Sequence, residues 1–330
     1  METASTAVAA PAATTLSYLP VGLFGSVMGL TGLSVAWHLA HQHFGAPEWV
    51  SQGIGAGALL AFAALAIAYG VKAFSGFQAV KAEFRHPVAG NLFGTPMISL
   101  LLLPFLLAPV SLTLARLSWV LGAAGMTTLA WLIVLRWMTV RQATAHVTPA
   151  WIVPVVGMLD VPLAVPQLQW QGMHGVMVFG LAVGLFFAIP LFTMIFSRLA
   201  MEEALPPPLQ PSLLIMVAPF SVGFTAYVTT TGSFDLFAEG LYMLMLFLLV
   251  VLLGRLRHLA QCSPFRVSWW AASFPLAASA GAALRYAGHE QSLFSDAVAL
   301  VLLGVATVTI LIFAVQTLRG IVNGQLKALA

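Results

Sequence analysis

The sequence predicts an all-α membrane protein of ten transmembrane helices, with an inner ring of broken helices and an outer ring of mostly unbroken ones. Three observations carry that expectation. Hydrophobic residues make up 60% of the 330-residue chain and charged residues only 7%, which marks a polytopic membrane protein. Ten apolar stretches follow one another with short connections that leave no room for a soluble domain. Near the middle of four of the five odd-numbered stretches stands a proline, at Pro96, Pro154, Pro219 and Pro275, while among the even ones only the sixth holds an interior proline, Pro190.

In chain order, residues 1–16 are rich in Ala and Thr and lack a basic n-region, so they read as a disordered tail and not as a signal peptide. The apolar stretches run over 19–40, 53–74, 88–108, 115–138, 148–165, 174–199, 211–228, 235–258, 266–287 and 292–318. They form one channel domain over 17–320, followed by a short tail at 321–330. The fifth stretch is the shortest and the most interrupted by proline. The first has glycines in place of a central proline, at Gly22, Gly25, Gly29 and Gly32. They form a smooth stripe suited to close helix packing, and Gly29 falls where the other odd segments break.

Of the 13 Lys and Arg residues, only Arg116 and Arg285 fall outside if the N-terminus is inside. The rest, from Lys72 and Lys81 to Arg257, Arg266 and Lys327, lie in inner loops or the tail. This bias places both termini in the cytoplasm and makes the number of spans even. The net charge of +3 therefore reflects loop cations, not nucleic-acid binding. Odd segments begin about 55–70 residues apart, the length of one helical hairpin. Five parallel helices broken at similar depth point their breaks at a central pathway, where freed carbonyls meet water.

The ninth segment states this most sharply. Residues 266–285 rise roughly 28 Å at about 1.5 Å per residue, close to a hydrocarbon core of about 30 Å. Beyond their first turn they carry mostly Ala, Ser and Gly, with Phe274 and Pro275 halfway. Pro275 donates no N–H to the carbonyl of Ala271, so a kink is expected there. One aromatic at mid-depth in a small-residue helix reads as a plug in a narrow pathway.

Four motifs extend the reading: YLPVGLFGSVMGLTGLSVAW at 18–37, HPVAGN at 86–91 ahead of Pro96, TPAWIVPVVG at 148–157 and WWAASFP at 269–275. Together they resemble the tellurite-resistance/dicarboxylate transporter family, which spans bacterial tellurite-resistance proteins, slow-type anion channels of plant guard cells and fungal malate and sulfite transporters. The resemblance implies five hairpins with quasi-five-fold symmetry about one pore per protomer, and a homotrimer with three separate pores. It also implies a bacterial inner-membrane setting and a gating Phe before the ninth-segment proline, which matches Phe274. The chain departs from the pattern at Ala89, where relatives often carry a basic residue. It also lacks a first-helix proline, and it carries Asp160 in its fifth segment.

A Phe-lined constriction gates by dewetting. Polar lining is expected from Thr95, Ser221 and Ser273, and the ring of inner cations raises the local anion concentration. Asp160, the one acid inside a segment, is a candidate proton site or a residue of the outer mouth paired with Arg116 or Arg285. The eight histidines gather at segment ends without metal spacing, and the single Cys262 excludes a disulfide or thiolate site within the chain. Trp269 and Trp270 read as interfacial anchors. There is no nucleophile triad, P-loop or dinucleotide fingerprint, so neither an enzyme nor a cofactor is expected. The expected activity is passive flux of small anions. The alternative is proton-coupled transport or export of a C4-dicarboxylate, sulfite or tellurite.

Overall fold

Each of the five odd segments opens as a 3-10 helix and only then becomes α-helical. The computed structural model describes residues 16–256 and 264–330, all helix, turn and loop with no strand among them. Most of the N-terminal tail, with Arg257, His258 and Cys262, lies outside the described residues.

The first segment passes from Val21–Phe24 into α1, Gly25–Phe44. The third passes from Ala89–Phe93 into α4, Gly94–Leu102, and continues through α5, Pro104–Leu107. The fifth runs from Pro149–Ile152 through α7, Val153–Val156, to a second 3-10 stretch at Gly157–Asp160. The seventh passes from Pro207–Val217 into α9, Ala218–Thr231, and the ninth from Val267–Ala272 into α11, Ser273–Glu290.

The prolines sit at these junctions. Pro154 and Pro219 are the second residues of α7 and α9, and Pro96 and Pro275 the third residues of α4 and α11. In a first turn the missing N–H costs little and the fixed φ favours the helix. The expected mid-helix kink is therefore a change of helix type at the start of an unbroken α-helix. Gly29 is corrected in the same way. It lies inside α1, which runs without a break. Its part is packing: a Cβ on Gly29 would collide with the Ser273 side chain, and one on Gly32 would lie 3.0 Å from the Ala277 Cβ.

The remaining long helices are α2 (Glu48–Ser75), α6 (Leu112–Thr139), α8 (His174–Met201), α10 (Leu236–Leu256) and α12 (Leu293–Val322). α8 passes through Pro190 without ending. Ser111 Oγ accepts from the Leu114 N–H to cap α6, and Ser292 with Ser295 forms a capping box on α12. Among the described residues, eight helices are long and apolar enough to cross a membrane. The fifth segment, at Pro149–Asp160, is too short to be among them, and the Ala- and Ser-rich ninth is not among them either.

Burial separates two classes. The most apolar windows of Val21–Phe44 and Pro207–Thr231 are 67% buried and that of Ala89–Leu107 is 56% buried, against 11% in Glu48–Ser75 and 28–39% in the other four. Every residue from Pro149 to Asp160 is buried. The odd segments thus form the core, and the even helices turn side chains such as Phe186, Ile189, Phe247 and Val250 outward, a face suited to lipid.

Two details tie the inner layer down. Glu83 stands on the short amphipathic α3, Phe77–Arg85, and accepts the Val21 N–H at 2.7 Å, the Tyr69 hydroxyl at 2.9 Å and Lys72 Nζ at 2.7 Å. Lys72, expected as a loop cation, is instead 2% exposed and also donates to the Leu19 carbonyl. A buried pair supported by further hydrogen bonds fixes the start of the first segment. Trp270, expected at the interface, is buried, and its indole N–H donates to Thr317 on α12. After α12 the chain turns at Gly324, φ 67°, into α13, Leu326–Leu329, so the tail packs back on the bundle with Leu329 against Gly320.

Candidate functional site

Two cavities lie within the core, and side chains of all five odd segments reach both. The larger, about 180 Å³, is walled chiefly by the 3-10 openings: Gly22 and Leu23 of the first, Leu92 of the third, Ile152 of the fifth, Leu209 of the seventh and Trp270 of the ninth. The smaller, about 50 Å³, is walled by later parts of the same segments, including Thr31, Phe105, Leu163, Thr225 and Gly281. Since the first halves share one cavity and the second halves the other, the five segments run parallel. Among the described residues, apart from Ala330 at the larger cavity, none outside these segments and the turn after Asp160 borders either one.

Phe274 and Val222 are the residues common to both cavities. Phe274 is the second residue of α11, one position before Pro275, and its side chain is 7% exposed. Gly32 lies beside the ring: a Cβ there would be in ordinary contact with it, 3.5 Å from Phe274 Cδ2. The junction fixes the start of α11, Ser273 pins it to α1 through the Gly25 carbonyl at 3.1 Å, and the phenyl ring is left between the two chambers.

Of the expected polar lining, only Thr95 borders a cavity, and its hydroxyl is taken by the carbonyls of Val21 and Leu92. Ser273 and Ser221 are fully buried and border neither. Ser273 donates to Gly25 and Trp270, and Ser221 to Val217 and Ala218. Among the expected junction residues, Pro275 borders the larger cavity, whereas Pro96, Pro154, Pro219 and Gly29 border neither.

Asp160 is 2% exposed on the wall of the larger cavity, with Oδ1 lacking any hydrogen-bond partner. Among the described residues it has no ion-pair partner, neither Arg116 nor Arg285. Arg116 donates to the carbonyls of Leu168 and Gln169, and Arg285 lines the smaller cavity.

Sequence reasoning missed Thr148, Ser212 and Ser268 on the larger cavity and Thr31 and Thr225 on the smaller. Thr148 and Ser268 stand at 3-10 openings, and that position is the signal available in sequence. His43 meets Asp296 at 2.7 Å and His41 meets the Ala46 carbonyl, both at one end of α1. No group of three metal-ligating side chains occurs among the described residues.

Apolar helices around a buried core with two chambers meeting at one aromatic ring define a multi-pass membrane protein with internal cavities. The chain belongs to the SLAC1 family, described as voltage-dependent anion channels, whose profile matches residues 18–318. It is 29% identical over 307 residues to the S-type anion channel SLAH3 of Arabidopsis thaliana, covering 91% of this chain and 48% of that one. It is 27% identical over 311 residues to the guard cell S-type anion channel SLAC1 of the same plant, covering 91% and 55%. An uncharacterized transporter of Methanocaldococcus jannaschii, MJ0762, is 28% identical over 217 residues, covering 59% of this chain and 63% of the relative. The chain spans about half the length of these plant relatives.

Proposed function

We propose that this protein is a membrane anion channel whose pathway runs through the two cavities and is closed at Phe274. The observation that carries this reading is the phenyl ring standing between chambers that the same five segments wall. Selection for anions needs no fixed cation at the ring. α1, α4, α9 and α11 all begin beside the larger cavity, and the N-terminal end of a helix carries roughly half a positive charge. The fifth and ninth segments complete ten spans as five hairpins in quasi-five-fold arrangement, and the pore works within a homotrimer. Thr95, Ser221 and Ser273 hold the junctions in place through their backbone bonds instead of offering hydroxyls to the anion.

The direct test is reconstitution in planar bilayers under an anion gradient. The reversal potential is expected to follow the anion equilibrium potential and to stay put when the cation is exchanged. A reversal potential that follows the cation would end the reading.

Orientation belongs to the same proposal: an inner membrane, with both termini cytoplasmic and the larger cavity opening inward. In intact cells an impermeant thiol reagent is expected to label a cysteine introduced near Glu48 and to spare one near Lys81. The opposite pattern would turn the protein around.

Asp160 keeps a second reading in play, because an unpaired carboxyl on the wall of the larger cavity is where a proton-coupled transporter of a dicarboxylate, sulfite or tellurite would hold its proton. In the channel, an ionised Asp160 repels anions and a protonated one does not. Current is therefore expected to rise as pH falls, and Asp160→Asn to keep the acid-side current at every pH. Loss of uphill, proton-driven uptake in Asp160→Asn would favour the transporter.

A further inference from the structure

The outer face of α2 carries an exposed apolar row that runs to its end. Leu60, Ile67, Val71 and Phe74 follow one another at seven, four and three residues, so they share one side of the helix, and Phe74 is 95% exposed. At Gly76 the chain turns into α3. On its outward side Phe77 is followed at spacings of four by Lys81 and Arg85, and all three are exposed. Aromatic rings thus give way to cations at the end of a membrane-length helix, which is the level of phospholipid headgroups. The side chains of Lys81 and Arg85 make no ion pair; among the described residues the ion pairs are His43 with Asp296 and Lys72 with Glu83.

The opposite side of α3 is fastened to the core. Glu83, its one acid, is taken up inward by Val21, Tyr69 and Lys72. Phe84 packs edge-on against Phe93 with ring centroids 5.1 Å apart, and its carbonyl stands where a Cβ on Gly90 would collide. Arg136 of α6 donates to the carbonyls of Phe84 and Arg85 at 3.4 and 2.8 Å and brings a third cation to the end of α3. The outward side therefore holds cations and aromatic rings while the acid of α3 is turned away. Anionic phospholipid complements both: its phosphate takes the charge and its acyl chains take the rings.

We propose that α3 is a docking surface for anionic phospholipid, with Lys81 and Arg85 on the headgroup phosphate and Phe74 and Phe77 among the acyl chains. The proposal does not depend on what passes through the cavities. Zwitterionic lipid offers the same chains and phosphate but adds a cation of its own, which Lys81, Arg85 and Arg136 repel. Lipid bound here also acts on the core. α3 lies between the openings of the first and third segments, holding Val21 through Glu83 and Phe93 through Phe84. A bound headgroup thus steadies two of the five walls of the larger cavity.

The test adds phosphatidylglycerol or phosphatidylcholine to the purified full chain in neutral detergent. Bound lipid is read by native mass spectrometry and the melting temperature in parallel. The wild type is expected to hold phosphatidylglycerol about tenfold more tightly than phosphatidylcholine, to melt higher with it, and to lose part of the difference at high salt. The double variant Lys81→Gln with Arg85→Gln is expected to weaken phosphatidylglycerol about tenfold or more. It should leave phosphatidylcholine and the lipid-free melting temperature as they were, since neither side chain has an ion-pair partner to lose. Lys81→Arg with Arg85→Lys keeps both charges and should bind like the wild type. A folded Gln pair that holds phosphatidylglycerol like the wild type overturns the site. If that pair fails to fold, Phe77→Ser decides, and unchanged phosphatidylglycerol binding there overturns the site. Inorganic phosphate that raises the melting temperature as much as phosphatidylglycerol would mark a free-anion site and overturn the lipid reading. Lys81→Cys that cross-links to the same position of a second copy would show this face covered by protein and overturn it as well.

Discussion

Phe274→Ala is expected to raise anion current in bilayer recordings by an order of magnitude or more. The ring is the wall between two existing chambers, so its removal joins them. The other neighbours of the ring are small, with Gly32 beside it and Ala278 and Gly281 continuing the face of α11 behind it, and Val222, which also borders both chambers, is narrower than a phenyl ring. Lowering the barrier by only about 1.4 kcal/mol gives tenfold. The Pro275 junction and the hydrogen bonds of Ser273 to α1 are left in place, so the variant is expected to fold. Phe274→Leu should give a smaller rise, because an apolar side chain of less breadth still dewets the constriction. An ordinary core Phe behaves otherwise. Its truncation leaves a new cavity at a cost of about 3–5 kcal/mol and yields poor expression without conduction. Well-folded Phe274→Ala with wild-type conductance would refute the gate.

A second large effect is expected in the opposite direction. Gly281 sits between the ring and Arg285 on the lining face of α11, and a Cβ built there meets nothing within 4 Å. Gly281→Leu in the Phe274→Ala background fills the smaller cavity from its own wall. It should cut the enlarged current at least tenfold while leaving the melting temperature unchanged or higher, since Gly in a helix interior costs about 1 kcal/mol relative to a good helix former. Gly29 provides the contrast. A Cβ there runs into Ser273, so even Gly29→Ala should lower the melting temperature by prying α1 from α11. Full current in the double variant would show that anions bypass this chamber.

The membrane class and the odd–even difference were legible because they are written in composition and in proline spacing, both of which survive without tertiary information. The same prolines misled about geometry. At Pro275 the sequence shows only a missing donor, and a helix can meet that either by bending or by starting its α-helical part there; the 3-10 run from Val267 to Ala272 is the second solution. Gly29 was read as a break because it occupies the proline's place in the repeat, yet its smoothness serves a neighbour 244 residues further along, Ser273. Ser221 and Ser273 were read as lining because a hydroxyl in an apolar segment looks available. A serine in a helix satisfies itself on a carbonyl three or four residues back, and no pattern in sequence separates that from an open hydroxyl. Asp160 was left with two readings, a proton site or a residue of the outer mouth, because its position along the segment says nothing of its neighbours. Its place on the wall of the larger cavity follows from how the fifth segment packs against the other four, which no count of residues along one segment gives.

The division of labour between the two layers has an evolutionary consequence. Because the walls of both cavities come from the odd segments, the five long helices outside them answer to a different selective pressure. Their outward faces are free to drift with the thickness and lipid content of whatever membrane the host makes, as long as they stay apolar. Substitutions among descendants of this gene should therefore accumulate in alternate stripes, fast and slow with the period of one hairpin. A lineage moving to a new bilayer would change its coat without touching its conduit.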